Sequence, residues 1–213
     1  MESLALSVII VTTIVGTMLS LRRTGRGFRT PKASFAVAAA TLVVSVLGNL
    51  NPDVLELLGR NRSLLLAGEW WRLVTPLLVQ DGGWPGTIFN ISSLIVVGLC
   101  AESLHRRSTY LIVYVLAGLI SEVFAYTLLP DQGFAGNSVA NMGAAALCLV
   151  TLCVAGAGSA RIIGLIGVLT GVFLIVTGNL HGVGFAVGAL SGAVILSMHS
   201  RRSRLSTKAQ PGS

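Results

Sequence analysis

The chain has 213 residues, of which 53% are hydrophobic and only 11% are charged, and its net charge is +7 at pH 7. Soluble domains carry about 25% charged residues, so this composition excludes an ordinary soluble domain and indicates an integral membrane protein. The positive residues gather in short loops between apolar stretches rather than in a stripe along one face. We therefore expect the lipid bilayer as a partner and no nucleic acid.

Seven apolar stretches are long enough, or nearly so, to cross a bilayer, which takes about 17 to 25 helical residues. They cover residues 3–21, 35–50, 87–104, 109–129, 138–155, 162–177 and 180–198. Backbone amides in lipid must be hydrogen-bonded within their own segment, and strand-like alternation is absent, so each stretch is predicted to be helical. The predicted fold class is all-α, a polytopic membrane helix bundle.

The first stretch is predicted to remain as a helix rather than to be cleaved as a signal peptide. No Lys or Arg precedes it, and no clear small-residue cleavage site lies ahead of Arg22. Cys100, Cys148 and Cys153 fall in or near apolar stretches without metal-ligand spacing. We expect these three cysteines to pack in the bundle rather than to bind metal or form disulfides.

The charged loops predict how the bundle is oriented. Twelve of the 15 Lys and Arg residues fall at one end of a seven-helix arrangement, in the first, third and fifth loops and after the last stretch. The opposite end carries Arg60, Arg62 and Arg72. The positive-inside rule makes the basic end cytoplasmic, with the N-terminus outside and the C-terminus inside. We expect a multi-pass protein of a bacterial-type plasma membrane.

A serine and a histidine open two of the stretches at the same predicted depth. Ser138 follows Gly136 and Asn137 at the start of the fifth stretch, and His181 opens the seventh. Polar groups inside a membrane are costly and mark functional sites. Histidine is the usual base for a serine nucleophile. Glycines at 184, 188 and 192 would let the histidine helix approach a neighbour closely.

Other polar residues near this pair have two possible roles each. Asn90 and the N–H groups at the start of the Ser138 helix are candidate donors to an oxyanion, with Asn137 and Asn141 nearby. Ser138 alone also fits a helix cap, and His181 and Asn90 also fit interhelical hydrogen bonds. These structural alternatives stay open on sequence alone.

Two acidic residues lie within the apolar stretches. Glu102 lies four residues before Arg106, so an ion pair between them near the cytoplasmic face is predicted. Glu122 lies in the fourth stretch, where a protonated or hydrogen-bonded structural role is expected. A small transporter centred on Glu122 is an alternative, but no repeat or broken helix favours it.

Five motifs, in order along the chain, resemble those of rhomboid intramembrane serine proteases. They are Gly68–Thr75 for the Trp-Arg motif of the first external loop, Phe89-Asn90 for the start of the second core helix, Gly98, Glu102, Arg106 and Arg107 for its cytoplasmic end, Gly136–Gly143 for the GxSG serine motif, and His181, Gly184 and Gly188 for the histidine helix. Each motif alone is weak, but five in order are specific.

The resemblance covers residues 35–198 and implies a six-helix core with one extra N-terminal transmembrane helix. It divides the chain into the extra helix with its basic cytoplasmic loop (1–34), a rhomboid-like membrane domain (35–198) and a basic cytoplasmic tail (199–213). The implied activity is hydrolysis of peptide bonds in or near transmembrane segments of client membrane proteins. No metal or organic cofactor is expected for this chemistry.

By the same resemblance, Ser138 is the nucleophile and His181 the general base. Asn90 helps to form the oxyanion hole, with Gly136 in support, and Trp71 and Arg72 stabilise the loop at the membrane surface.

Three positions depart from the family pattern. Gly86 stands where relatives usually carry a histidine, four residues before the asparagine, Val139 replaces the second glycine of GxSG, and Met142 stands where an aromatic residue commonly packs near the histidine. The branched side chain of Val139 can hold the serine helix away from the histidine helix or turn the serine. These departures keep a second interpretation open, a rhomboid-like pseudoprotease that binds transmembrane clients without cleaving them.

Overall fold

The computed structural model describes residues 2–80, 82–128 and 136–208, apart from the side chains of 199 and 201–208. Within these residues the elements are helices and turns. The helices are α1 Glu2–Arg23, α2 Lys32–Leu50, α3 Pro52–Leu58, α4 Arg62–Leu66, α5 Gly83–Leu104, α6 Arg107–Leu128, α7 Asn137–Ala155, α8 Ser159–Val176 and α9 Leu180–Lys208. Two short 3-10 turns, Trp70–Leu73 and Thr75–Leu78, lie between α4 and α5.

Seven of these helices, all except α3 and α4, are long and apolar enough to cross a membrane. The predicted all-α polytopic bundle is confirmed. The boundaries differ at some ends, since α5 begins at Gly83 and α9 continues to Lys208. Leu129, the last residue of the predicted fourth stretch, lies outside the described residues. We call the end of the bundle with the α1–α2, α5–α6 and α7–α8 loops the basic end, and the other the opposite end.

The central helix of the bundle is α7, which contacts α1, α5, α6, α8 and α9. Its middle is a run of small residues, Gly143 to Ala146, and all four are buried. Helix association in lipid depends on close packing rather than on a hydrophobic driving force, so small side chains favour a central position. The residues of α7 are therefore held by neighbours on every side.

The closest of these contacts joins α7 to α9. A Cβ atom at Gly184 would overlap the carbonyl oxygen of Val139, and one at Gly188 would overlap the carbonyl oxygen of Gly143. At Gly192 the nearest atom to such a Cβ is in Val150, at an ordinary 3.4 Å. Backbone therefore meets backbone at the first two glycines of the predicted glycine face and separates at the third.

The segment between α2 and α5 folds over the opposite end of the bundle, and Arg72 is its buried centre. The Arg72 guanidinium donates to the carbonyl oxygens of Glu56 at 2.7 Å and Gly59 at 2.6 Å and pairs with Glu69 at 2.7 Å. The hydroxyl of Tyr126 in α6 donates to the Arg72 carbonyl oxygen at 2.8 Å. One arginine thus ties α3 and the first 3-10 turn together, and its backbone joins them to the bundle.

Three tryptophans lie around this segment with exposed side chains, Trp70 at 67%, Trp71 at 45% and Trp84 at 48%. The indole N–H of Trp71 donates to the carbonyl oxygen of Leu57 at 3.2 Å. Amphipathic indoles are enriched at the level of lipid headgroups. Trp71 combines this kind of exposure with a bond that holds the loop to α3.

At the basic end, Glu102 has a different partner from the one predicted. Its carboxylate pairs with Arg107 at 3.0 Å, so the predicted pair with Arg106 is wrong. The spacing argument fails because α5 ends before His105, whose backbone is extended, and Arg106 is not on the same helix. Glu102 also accepts the backbone N–H of Ser34 at 2.8 Å in the first turn of α2. A buried carboxylate thus satisfies a helix start that lacks a side-chain cap of its own.

Replacing Gly188 by alanine is expected to destabilise the bundle, because the added methyl group overlaps the α7 backbone. Overpacking of this kind costs about 1–3 kcal/mol. Gly192→Ala is the matched control on the same helix and is expected to have little effect. Thermal unfolding of the purified proteins in one detergent measures both. Equal melting temperatures for the two variants would contradict the backbone contact at Gly188.

Candidate active site

The start of α7, which carries Ser138, is held in place by its surroundings. Gly136 precedes the helix, and its N–H donates to the carbonyl oxygen of Pro76 at 2.8 Å. A Cβ atom at Gly136 would overlap the Glu122 carboxylate. The first glycine of the serine motif is therefore required by packing against α6, and Gly136 supports the serine by position.

Asn137 anchors the same turn through its buried side-chain amide. Its Nδ2 donates to the hydroxyl of Tyr114 at 2.9 Å, and it lies 3.3 Å from both the Leu77 carbonyl oxygen and Thr41 Oγ1. These partners belong to α6, the second 3-10 turn and α2. The Asn137 amide therefore joins four parts of the chain beside Ser138.

Ser138 and His181 come together at the opposite end of the bundle. The distance from Ser138 Oγ to His181 Nε2 is 2.9 Å, within the range of a hydrogen bond. Ser138 is partly buried, and the His181 side chain is 17% exposed. Both residues lie in the first turn of their helices, α7 and α9.

Asn179, which sequence reasoning missed, determines which ring nitrogen of His181 carries the proton. The backbone N–H of His181 can only donate, so the Asn179 atom 2.8 Å from it is an oxygen. The same Oδ1 lies 2.9 Å from His181 Nδ1, which must then donate as well. Nε2 is left without a proton in the neutral ring and accepts from the Ser138 hydroxyl. An asparagine just before a helix is a recognised start signal, and this was the available clue.

Val139 does not separate the two helices. It is 2% exposed and packs with Ala125 and Leu180. Gly184 faces the backbone of Val139 across the α7–α9 contact and leaves room for its branched side chain. The close approach of α7 and α9 at Gly184 is thus kept with Val139 in the serine motif.

Asn90 lies level with Ser138 on the neighbouring helix α5. One turn closer to the basic end, Asn141 Nδ2 donates to Ser93 Oγ at 3.2 Å and joins α7 to α5. Asn90 and Ser138 each precede these residues by three positions, which is about one helical turn. The Asn90 amide itself donates to Gln80 Oε1 at 2.6 Å.

Gln80 is a second residue that sequence reasoning missed. It is 3% exposed, and its Nε2 has no hydrogen-bond partner among the described residues. Buried donors are nearly always paired, so an unpaired one beside Asn90 is unusual. No feature of the sequence around Gln80 predicts that its side chain is buried or that it contacts Asn90.

Glu122 lies next to Gly136 of the serine motif and forms a buried ion pair. Arg60, in the segment between α2 and α5, donates to it through Nε at 2.8 Å and through Nη2 at 2.7 Å. The side chains are 4% and 1% exposed. This bidentate pair is consistent with the structural role expected for Glu122. Arg60 was not identified as its partner from the sequence, because the two residues lie 62 positions apart in the chain.

Within the described residues, no group of three or more His, Cys, Asp or Glu side chains is arranged to hold a metal ion. Cys100 and Cys148 are buried and Cys153 is half-buried, and all three are free thiols.

Comparison with known proteins identifies the family. Residues 67–202 match the model of the Rhomboid domain. The chain belongs to the rhomboid family. The rhomboid domain includes α5 to α8, most of α9, and the loop around Arg72, and it therefore contains Ser138 and His181.

Two relatives share stretches of this rhomboid sequence. The Rhomboid protease GluP of Bacillus subtilis (strain 168) is 31% identical over 149 residues, which is 68% of this chain and 27% of that protein. The RHOMBOID-like protein 9, chloroplastic, of Arabidopsis thaliana is 34% identical over 85 residues, 38% of this chain and 19% of that protein. The match thus spans about a quarter and a fifth of these two longer proteins. No solved structure gives a significant match to the chain.

Proposed function

We propose that this rhomboid protein is an intramembrane serine protease that hydrolyses peptide bonds in or near transmembrane segments of client membrane proteins. The observation that carries the proposal is the 2.9 Å contact between Ser138 Oγ and His181 Nε2, in the tautomer that leaves Nε2 free to accept. A serine hydroxyl becomes a nucleophile when a neighbouring base takes its proton. The Bacillus subtilis relative is named a rhomboid protease, which agrees with this chemistry.

In the proposed reaction, Ser138 Oγ attacks the carbonyl carbon of the scissile peptide while its proton moves to His181 Nε2. The tetrahedral intermediate collapses as the imidazolium returns the proton to the leaving amine nitrogen, and an acyl-enzyme remains. A water molecule, deprotonated by His181, then attacks the acyl carbon, and the imidazolium returns the proton to Ser138 Oγ as the acid product leaves. The partial exposure of both side chains lets water reach the acyl group.

Negative charge on the tetrahedral oxygen needs donors, and we assign this role to the first N–H groups of α7 and to Asn90. Helix N-termini present unpaired N–H groups and a positive dipole end. Asn90 lies level with Ser138 on the adjacent helix, and Gln80 holds its amide at 2.6 Å. The roles of Trp71 and Arg72 are to hold the loop that closes this end of the bundle.

The alternative function, a rhomboid-like pseudoprotease that binds clients without cleaving them, is favoured by one observation. Gly86 leaves open space where relatives usually carry a histidine, since a Cβ there meets nothing within 4 Å. One candidate oxyanion donor is therefore missing. The backbone donors and Asn90 remain, and we retain the protease as the better-supported function.

We further propose that the basic end lies in the cytoplasm, so that Ser138 and His181 lie near the outer surface. In this arrangement residues 1–34 form an extra transmembrane helix and a basic cytoplasmic loop, 35–198 form the membrane domain, and 199–213 form a basic cytoplasmic tail. Seven apolar helices support multi-pass insertion, and we propose a bacterial-type plasma membrane as its location.

Ser138→Ala is expected to abolish cleavage of a model transmembrane substrate, because it removes the hydroxyl that lies 2.9 Å from His181 Nε2. A serine-directed fluorophosphonate probe should label the wild type at Ser138 and label neither Ser138→Ala nor His181→Ala. Reconstituted protein with a panel of substrates measures both. Cleavage by Ser138→Ala at the wild-type rate would exclude the proposed nucleophile, and a wild type that neither labels nor cleaves would favour the pseudoprotease.

Asn90→Ala is expected to lower kcat by about 10²–10³-fold, the effect of losing one oxyanion donor. Ser92→Ala, an exposed position on the same helix, serves as the control and should leave kcat unchanged. Gly86→His should raise kcat, because it adds a donor where the structure has room. Equal rates for Asn90→Ala and Ser92→Ala would show that Asn90 has no part in the transition state.

Cysteine labelling in intact cells tests the orientation, in a background whose three native cysteines are alanine. A cysteine at Asp53, on exposed α3, should react with a membrane-impermeant maleimide. A cysteine at Gly27, in the exposed α1–α2 loop, should react only after the cells are permeabilised. The reverse pattern would invert the proposed topology.

A further inference from the structure

The extra N-terminal helix brings a carboxylate to the candidate active site. Glu2, the first residue of α1, has its Oε1 3.1 Å from His181 Nδ1. The Glu2 side chain is 52% exposed, whereas the His181 side chain is 17% exposed. The carboxylate therefore lies at the exposed edge of the imidazole, on the side away from Ser138.

This position follows from how α1 packs. The helix lies against α8 and α7, and its first turn is at the same end of the bundle as the first turns of α7 and α9. An acidic residue in a first turn is also favoured by the helix dipole. The helix that is extra to the six-helix core thus begins beside His181.

From these contacts we infer that Glu2 is a positioning residue for His181, which completes a Ser138–His181–Glu2 arrangement by supplying negative charge. The inference rests on the proposed protease function. Asn179 already orients the ring and selects its tautomer, because its oxygen accepts from both the backbone N–H and Nδ1. What a neutral amide cannot supply is a charge opposite to that of the imidazolium.

The charge matters during one step. As the Ser138 Oγ bond to the carbonyl carbon forms, the hydroxyl proton moves to Nε2 and the ring becomes positive, while Nδ1 keeps its own proton. Glu2 stabilises that positive charge and accepts no proton itself. When the proton passes from Nε2 to the leaving amine nitrogen, the ring is neutral again. The stabilisation is therefore larger in the transition state than in the resting enzyme, which affects kcat rather than KM.

Glu2→Gln tests the inference, since it keeps the shape of the side chain and removes its charge. We expect kcat to fall about 3- to 5-fold with KM unchanged, the size of effect typical of a partly exposed ion pair. The ratio of wild-type to Glu2→Gln rates should decrease from low to high salt, because mobile ions screen an exposed charge. Glu56→Gln, which neutralises an exposed acid of α3, is the control and should change neither value.

A second measurement does not require activity. The His181 Nδ1–H proton resonance, assigned by its loss in His181→Ala, should move upfield in Glu2→Gln and stay in place in Glu56→Gln. A resonance that does not move, or a kcat equal to that of the wild type at all salt concentrations, would overturn the role of Glu2. If the resonance moves while the wild type cleaves nothing, the Glu2–His181 pairing is supported and the proposed protease function fails.

Discussion

The relative position of Ser138 and His181 depends on the backbone contact between α7 and α9. Gly184 and Gly188 have no side chains, so α9 rests on the carbonyl oxygens of Val139 and Gly143. In lipid, neighbouring helices gain little from burying apolar surface, and close approach is itself the source of stability. The same contact brings the first turns of the two helices together and so sets the 2.9 Å distance from Ser138 to His181. Packing and site geometry are thus consequences of one feature.

Two buried arginines of the segment between α2 and α5 hold that segment beside the serine motif. The Arg60–Glu122 pair connects the segment between α2 and α5 to α6 next to Gly136, and Arg72 binds three acceptors within the same segment. Such pairs add little stability compared with apolar packing, but removing one partner leaves an uncompensated charge. Their effect is therefore to specify one arrangement of the loop relative to the start of α7. A segment held in this way can carry exposed tryptophans and still position the buried turn that precedes Ser138.

Sequence reasoning predicted the parts of this structure that depend on composition and periodicity. The seven helices follow from apolar length, and the family follows from motifs in order. Contacts between residues on different elements could not be predicted from the sequence. Glu102 was paired with Arg106 because spacing within one helix was assumed, whereas a helix end at His105 transfers the contact to Arg107. Arg60 and Glu2 lie far in sequence from the residues they contact, and no local pattern connects them. Asn179 was within reach, because an asparagine before a helix is a local signal.

Two of the departures from the rhomboid pattern act on different stages of the proposed reaction. Val139 concerns the approach of two helices, and Gly184 accommodates it in the resting structure. Gly86 concerns charge that exists only in the transition state, so no resting hydrogen bond can reveal its cost. The 2.9 Å contact between Ser138 and His181 is the geometry that the proposed proton transfer needs, and the proposed rate depends on donors to the oxyanion and on charge beside the imidazole. We propose Asn90, the start of α7 and Glu2 as the groups that supply both, which concentrates the question of activity on transition-state electrostatics rather than on helix packing.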